Sequence, residues 1–203
     1  MNRMWNIAKI MLLGALFVGC SETEDTNLEQ REDIMEYLED DHSPRLISES
    51  EAAESLDSES PFYTMGGYTT FRYIGDYYNE ARESMAQIEK GSTISIIYTL
   101  YNFEDYAEPT ESDILISNDE AQIALLEVIN GGLNTTYWST DPLTFKVGSG
   151  KLFSSVENLL VGCREGDVVE FYMTLEEAYG TSEVGIATVE APLALFCEIL
   201  TVN

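Results

Sequence analysis

The fold of this chain is most readable in residues 142–175, PLTFKVGSGKLFSSVENLLVGCREGDVVEFYMTL. Apolar side chains in the middle of this stretch follow a helical spacing, and they are Leu152, Phe153, Val156, Leu159, Leu160 and Cys163. After them the spacing changes to a period of two, in which Val169, Phe171, Met173 and Leu175 alternate with Glu170, Tyr172 and Thr174. A period of two is typical of a half-buried strand. The stretch therefore predicts a short helix followed by a strand.

Similar strand patterns lie on both sides of this stretch. Residues 68–74, 92–101 and 193–200 are rich in β-branched and aromatic residues, and within 92–101 Ile94, Ile96 and Tyr98 alternate with Thr93, Ser95 and Ile97. Asn118 is the predicted N-cap of a helix that runs through Ile129 and ends at Gly131-Gly132. Several strands around one short helix predict an α+β domain with an antiparallel sheet. We place this domain at residues 61–203, because the dense apolar pattern begins at Pro61.

The charge of the chain excludes several kinds of partner. Its 203 residues contain 37 acidic and 10 basic side chains, which gives a formal charge of −27, while 44% of the residues are hydrophobic and can bury a core. Nucleic acid is not expected as a partner, because binding to phosphates depends on Lys and Arg. His42 is the single histidine, which argues against a histidine-based metal site or catalytic triad. We predict neither a metal site nor a cofactor.

The first twenty residues have the layout of an export signal. Residues 1–19 contain Arg3 and Lys9, no acid, and an apolar run of nine residues before Gly19. This is the arrangement of a secretory signal peptide, and the run is too short to cross a bilayer. Cys20 follows directly and resembles the lipidated cysteine of the bacterial lipobox, although Phe17 stands where leucine is usual. The alternative is an ordinary signal peptide followed by a chance cysteine.

The residues between Cys20 and the domain predict an acidic tether. Residues 21–60 hold fifteen acids and two arginines, and within them Leu28–Leu38 has the rough apolar face of a short amphipathic helix. Directly after Cys20, residues 21–25 read SETED. This tract resembles the signal that exports some Gram-negative lipoproteins to the cell surface, and a solvated spacer is the alternative. Together these features predict a protein in the bacterial cell envelope, lipid-anchored to the outer membrane through Cys20, with residues 20–60 as a tether.

The C-terminal part of the chain resembles the FKBP-type peptidyl-prolyl isomerases. The resemblance rests on the order and spacing of several segments, which are residues 142–148, Lys151-Leu152-Phe153, residues 160–167, Ala178-Tyr179-Gly180 and residues 194–199, with residues 90–99 as a matching upstream strand. It covers about residues 67–202, with an insertion near 119–140. The family resemblance implies a curled antiparallel sheet wrapped around the short helix, with a peptide-binding pocket between them.

The resemblance also assigns candidate site residues. It implies that Tyr179, Tyr98 and Phe196 act on the substrate, and that the pocket is lined by Leu143, Phe145, Leu152, Phe153, Val156 and Ile186. The implied partners are proline-containing polypeptide segments. An apolar pocket that favours the twisted, less polar amide needs no titrating base. The alternative for Tyr179 is an aromatic packed in a turn, and for Tyr98, Phe145 and Phe196 it is plain core.

Two departures from the family pattern leave a second function open. Val156 stands where the family has a tryptophan on the pocket floor, and Ile116 stands where it has an aspartate that orients the pocket tyrosine. Trp138, in the insertion, is a candidate to refill the pocket or a plug in the core or surface. The alternative function is a non-catalytic surface lipoprotein that uses the same fold to bind an extended peptide or another ligand. Cys163 and Cys197 are expected as buried single thiols by the resemblance, and a disulfide between them is the alternative.

Overall fold

A computed structural model describes residues 26–40, 45–48, 50–51, 62–67, 69–133, 138–174, 176 and 191–203. The helices are α1 (26–40), α2 (Glu120–Asn130) and α3 (Ser154–Leu160), with short 3-10 turns at Glu80–Ser84 and Glu111–Asp113. The strands are β1 (Arg45–Ser48), β2 (Phe62–Gly66), β3 (Thr70–Ile74), β4 (Thr93–Asn102), β5 (Ile114–Ser117), β6 (Leu143–Lys146), β7 (Val168–Met173) and β8 (Leu193–Val202). The predicted site residues Tyr179 and Ile186, the lipidation residue Cys20 and the predicted signal peptide 1–19 lie outside the described residues.

The strands form one curled sheet in the order β1-β2-β3-β7-β8-β4-β5, with β6 paired to β4. β1 and β2 are parallel, and the other pairs are antiparallel. The long pair of β4 and β8 sets the register at the centre, where Tyr98 lies opposite Cys197 and Thr99 lies opposite Phe196. The sheet and its short helix confirm the predicted α+β architecture.

The concave face of the sheet packs on α3. Ile94, Ile96, Tyr98 and Leu100 of β4 all point into this inner core, which confirms the alternation predicted for that strand. From α3, Val156, Leu159 and Leu160 enter the same core. Where α3 crosses β2, Gly66 leaves the space that the Leu159 side chain occupies, since a Cβ at Gly66 would lie 2.1 Å from Leu159 Cδ2. The absence of a side chain at Gly66 therefore allows the helix to pack closely on the sheet.

The opposite face of the sheet is also covered, by α1. Ile34 and Leu38 of this helix are completely buried against an outer cluster whose members include Tyr63, Phe71, Phe103, Tyr172 and Ala194. Burial of two such aliphatic side chains contributes roughly 3–6 kcal/mol of transfer free energy. The predicted short helix is confirmed, but residues 26–40 pack on the domain and do not stand apart from it as part of a tether.

The outer cluster also corrects the prediction for β7. Tyr172 was expected on the solvent side of a half-buried strand, and it is fully buried beneath α1. Its ring lies 5.8 Å from that of Tyr37 and 5.1 Å from that of Phe103, measured between centroids. Both faces of this strand are therefore buried at its C-terminal end, whereas Val168 at its start is 54% exposed.

Two hydrogen bonds join α1 to Glu176, which follows β7 in the sequence. The Asn27 side-chain amide donates to Glu176 Oε2 at 3.1 Å, and Asn27 Oδ1 accepts from the Glu176 backbone N–H at 3.1 Å. Asn27 is 6% exposed whereas Glu176 is exposed, so these bonds are partly shielded from water. The first turn of α1 is thus fixed to the residue that lies three positions before Tyr179 in the sequence.

The two described cysteines are free and buried in the inner core. Burial raises the pKa of the Cys163 thiol to about 11, and it also raises the pKa of the Cys197 thiol. Both are therefore neutral thiols at physiological pH, which confirms the single buried thiols that the resemblance implied. Among the described residues, no helix is both long enough and apolar enough to span a bilayer.

Candidate functional site

The candidate site is the apolar region between α3 and the concave face of the sheet. The structure brings together there five of the predicted pocket residues that it describes, with Leu143 packed at their edge; the five are Tyr98, Phe145, Leu152, Phe153 and Val156. Their register explains the grouping, since β6 places Phe145 opposite Ile94 and Leu143 opposite Ile96. The region is apolar and, apart from the Tyr98 hydroxyl, offers a substrate few polar partners.

Tyr98 supplies the polar group of this region. Its side chain is 8% exposed, and burial raises the pKa of its phenol above the usual value of 10.0. None of the described residues forms a hydrogen bond with its hydroxyl. A buried tyrosine hydroxyl normally has a hydrogen-bond partner, so this neutral O–H is suited to donate to a carbonyl oxygen of a bound peptide.

Asn118 holds the backbone of Tyr98 in place, a role that the sequence did not predict. Its Oδ1 accepts from the Tyr98 N–H at 2.6 Å, and its Nδ2 donates to the carbonyls of Ile96 and Asp141, each at 3.1 Å. Asn118 is 6% exposed, so its amide is satisfied inside the protein. The residue joins β4, the end of β5 and the chain before β6 at the side of Tyr98.

The helix cap predicted for Asn118 is made by its neighbour instead. Asp119 Oδ1 accepts from the N–H groups of Ala121 and Gln122, at 2.8 and 3.0 Å. Gly131 ends the helix with a φ of 70°, as the two glycines predicted. The sequence signal was ambiguous, because both Asn and Asp are strong N-cap residues and they are adjacent here.

The chain that enters α3 is organised around Glu157. This carboxylate is 2% exposed and accepts three backbone hydrogen bonds, from Gly148 N at 2.6 Å, Gly150 N at 3.2 Å and Leu152 N at 2.8 Å. The loop is thereby fixed where Leu152 and Phe153 turn into the inner core. The sequence analysis does not predict this role for Glu157. Its position among the buried residues of the short helix is the signal that indicates it.

Phe196 does not belong to this site, and its assignment was wrong. It lies opposite Thr99 in the β4–β8 register, so its side chain is on the outer face, where its ring centroid is 5.1 Å from Tyr101 and 5.8 Å from Tyr172. Leu195, the preceding residue, is fully buried in the inner core. Because side chains alternate along a strand, a shift of one residue exchanges the two faces.

The two departures from the family pattern are both apolar residues in the inner core. Val156 is fully buried, and Ile116 is 8% exposed and lies opposite Leu100. Ile116 therefore supplies hydrocarbon contact and no carboxylate at this position. Trp138 is partly buried against the same core, which brings the described end of the insertion back to the site.

No cofactor or metal has an evident place in the described part of the chain. Groups of three or more His, Cys, Asp or Glu side chains arranged to hold an ion are absent among the described residues. The described residues of the site offer an apolar environment with one hydroxyl donor and no carboxylate or imidazole side chain. Such an environment suits a reaction whose transition state is less polar than its ground state.

A family model matches part of this region of the chain. Residues 107–199 match the family model of the FKBP-type peptidyl-prolyl cis-trans isomerase. Among solved structures, that of the three FKBP domains of wheat FKBP73 is similar at 12% sequence identity and a TM-score of 0.46, over 70% of this chain and 51% of the wheat chain. This chain thus spans about half the length of that one. No curated protein matches the chain significantly.

The family match begins at Ala107 and ends at Ile199. It contains β5, α3, β7 and most of β8, while β4 with Tyr98 precedes it and completes the same sheet. Residues 107–199 of this chain therefore match an FKBP-type peptidyl-prolyl cis-trans isomerase domain.

Proposed function

We propose that the chain is a peptidyl-prolyl cis-trans isomerase that acts on X–Pro bonds of exported proteins and is held at the outer membrane by a lipid on Cys20. The observation that carries the catalytic part is the neutral apolar site with the Tyr98 hydroxyl, within a domain of this family. FKBP-type domains act on proline-containing peptides, and the described site contains nothing that would require another substrate.

The physical chemistry of the site suits this reaction. An X–Pro amide isomerises over a barrier of about 18–20 kcal/mol, and the twisted transition state loses conjugation and polarity. A site of low polarity stabilises the twisted amide relative to the planar one, since the planar amide is better solvated in water. A hydroxyl that binds a neighbouring carbonyl positions the peptide without a nucleophile or base. We assign that role to Tyr98 together with Tyr179.

A proline-isomerisation assay tests the catalytic proposal. The chain from Ser21 onward is used, because α1 begins at residue 26 and packs on the domain. Loss of a positioning hydrogen bond worth about 1.4 kcal/mol lowers kcat/KM about tenfold, so this loss is expected for Tyr98→Phe and Tyr179→Phe. The control is Tyr78→Phe, at a residue that is 37% exposed. A wild-type rate equal to that of buffer at micromolar protein contradicts the catalytic proposal.

A specific observation favours a second function, that of a peptide-binding module without catalysis. Ile116 and Val156 replace the polar and aromatic anchors of the family pattern, and both are packed inside the core. A peptide array on which the protein binds proline-containing segments, together with no isomerisation of the same peptides, supports the binding module. Isomerisation of the bound peptides supports the enzyme.

The membrane anchor is tested separately from the activity. Lipidation at Cys20 predicts that cells fed a labelled fatty acid incorporate it into the wild-type chain and that the chain sediments with the outer membrane. Multiple acyl chains give stable anchoring, whereas one chain binds only marginally. Cys20→Ala is expected to lose both the label and the membrane fraction. Retention of the label by that variant contradicts the anchor.

A further inference from the structure

The inserted helix α2 exposes an apolar face to the outside of the molecule. Its exposed side is formed by Ala121, Ala124, Leu125, Val128 and Ile129, while Ile123 and Leu126 are buried on the other side. The exposed fractions are 82% for Val128, 61% for Ile129 and 40% for Leu125. A helix on the surface of a globular protein normally presents polar residues to water. An apolar patch of this kind marks an interaction surface.

Both described ends of the insertion are attached to the proposed site. At the start, Asn118 binds the Tyr98 backbone N–H and the Asp141 carbonyl, and α2 begins two residues later. At the end, Trp138 packs on the inner core. The helix has eleven residues, which corresponds to a length of about 16 Å. A polypeptide that occupies the site therefore continues within reach of this helix.

The charge around α2 determines which chemistry the surface fits. Residues 91–145 contain nine acids and no Lys, Arg or His. Within the helix, Glu120 and Glu127 are exposed seven residues apart, so they lie on the same flank of the apolar face. A ligand that lies along this face next to two carboxylates is stabilised by positive charge.

The same charge argues against two other occupants. A symmetric dimer through this face uses the same surface patch on both copies. The interface would therefore bring together two surfaces that each carry the carboxylates of Glu120 and Glu127. An anionic bilayer surface would be repelled by a chain with a formal charge of −27. A cationic polypeptide is not repelled in either of these ways, because its charge is opposite to that of the helix surroundings.

We propose that the apolar face of α2 binds the part of a client polypeptide adjacent to the proline, and that this part combines apolar residues with Lys or Arg. The inference rests on the proposed function, because it extends the substrate of the same site. It assigns to the enzyme a preference for cationic, extended clients over short or acidic ones. The pocket handles the X–Pro bond, and α2 supplies affinity for the chain beside it.

The test uses the chain from Ser21 onward and the double substitution Val128→Gln, Ile129→Gln. Glutamine is a good helix former, and both side chains are exposed, so the helix is retained. The first probe is a peptide of about 25 residues that carries one proline flanked by leucines and lysines, and the second is the same peptide with glutamates in place of the lysines. A proline tetrapeptide, too short to reach α2, is the third.

The double variant is expected to bind the lysine peptide about tenfold more weakly, since two partly buried aliphatic contacts are lost. Its rate on the tetrapeptide is expected to remain that of the wild type. The matched control is Val168→Gln, at a residue of β7 that is 54% exposed, and it should leave the affinity unchanged. Increased salt should weaken binding of the lysine peptide, because exposed charge interactions are screened.

Several outcomes overturn the proposal. One is an unchanged affinity of the double variant for the lysine peptide, and another is equal affinity of the wild type for the lysine and glutamate peptides. A dimer that dissociates on the double substitution also overturns it, since α2 then binds a second copy. Failure of the proposed function gives a different result, namely no isomerisation of the tetrapeptide by the wild type while the lysine peptide still binds through α2.

Discussion

Removal of the buried carboxylate of Glu157 should destabilise the domain more than any surface substitution on α3. The substitution Glu157→Ala leaves the N–H groups of Gly148, Gly150 and Leu152 without their acceptor, at donor–acceptor distances that are now 2.6, 3.2 and 2.8 Å. Hydrogen bonds to a charged group contribute about 1.5–3 kcal/mol each. The loop then has to find other acceptors or lose its conformation.

The exposure of the three donors determines how large the loss in free energy of unfolding is. Leu152 is 1% exposed, so its N–H cannot be rehydrated and costs about 1–3 kcal/mol when it is left unsatisfied. Gly148 is exposed and Gly150 partly so, and water can replace their partner at a cost of about 0.5–1 kcal/mol each. With the small cavity left by the side chain, the expected loss in free energy of unfolding is about 4 kcal/mol for Glu157→Ala. Glu157→Gln keeps the volume and one acceptor, and the expected loss is about 2–3 kcal/mol.

Urea unfolding of the wild type, both variants and the control Asn158→Ala measures these differences. Asn158 is the exposed neighbour of Glu157 on α3, and its substitution should change the free energy of unfolding by less than about 0.5 kcal/mol. The slope of the transition should stay constant, because the surface exposed on unfolding is the same. If the free energy of unfolding of Glu157→Gln lies within about 1 kcal/mol of the wild-type value, the carboxylate does not hold the loop and the reasoning is refuted.

Three further predictions concern packing, an ion pair and alkaline stability. Gly66→Ala places a Cβ 2.1 Å from Leu159 Cδ2 and should lower the free energy of unfolding by about 2 kcal/mol; a thermal midpoint equal to that of the wild type contradicts the close packing. Asp167→Asn breaks an ion pair in which the carboxylate, 3% exposed, accepts from Arg82 Nε at 2.7 Å and Nη2 at 2.9 Å. The expected loss in free energy of unfolding, measured with urea, is about 3 kcal/mol. A loss of less than about 1 kcal/mol shows that the pair does not contribute to stability. Burial, reinforced by an α1 carboxylate, raises the pKa of Tyr106 to about 12. Because its unfolded pKa is lower, at about 10, the stability from this residue is complete below pH 10 and is lost as the pH rises to 12; Tyr106→Phe should flatten the stability profile in that range, and identical profiles would count against the assignment.

The sequence predicted the inner core well because one physical pattern specified it. In β4, apolar and polar residues alternate clearly, so the period of two assigns Ile94, Ile96 and Tyr98 to one face. The short helix followed from the spacing of its apolar residues in the same way. These elements could be predicted from their own sequence, without knowledge of the elements on which they pack.

The sequence failed where both faces of a strand are apolar. Residues 193–200 read LALFCEIL, and the expected contrast between an inner and an outer face is missing because α1 covers the outer one. Periodicity then cannot decide whether Leu195 or Phe196 points into the site. The resemblance assigns Phe196 to the site, whereas the pairing with β4 and the two core clusters place Leu195 on the inner face and Phe196 on the outer face.

The outer cluster explains why α1 was recognised as a helix but not as part of the domain. Its apolar face is narrow, and its surroundings in the sequence are strongly acidic, which is the composition of a solvated spacer. The aromatic rings that receive Ile34 and Leu38 come from β2, β3 and β7 and from the end of β4. Such long-range complementarity cannot be recognised from the local pattern of residues 26–40.

The packing of α1 on the domain shortens the free segment between Cys20 and the proposed enzyme. With Cys20 as the lipidated residue, only residues 21–25 separate the bilayer surface from the first residue of a helix packed on the domain. Fully extended, that connection spans about 20 Å, whereas a free segment as far as residue 60 would span well over 100 Å. Under the proposal of a lipid on Cys20, a domain on so short a connection would work close to the lipid surface. Its proposed clients would then be chains that emerge at, or lie against, the same membrane.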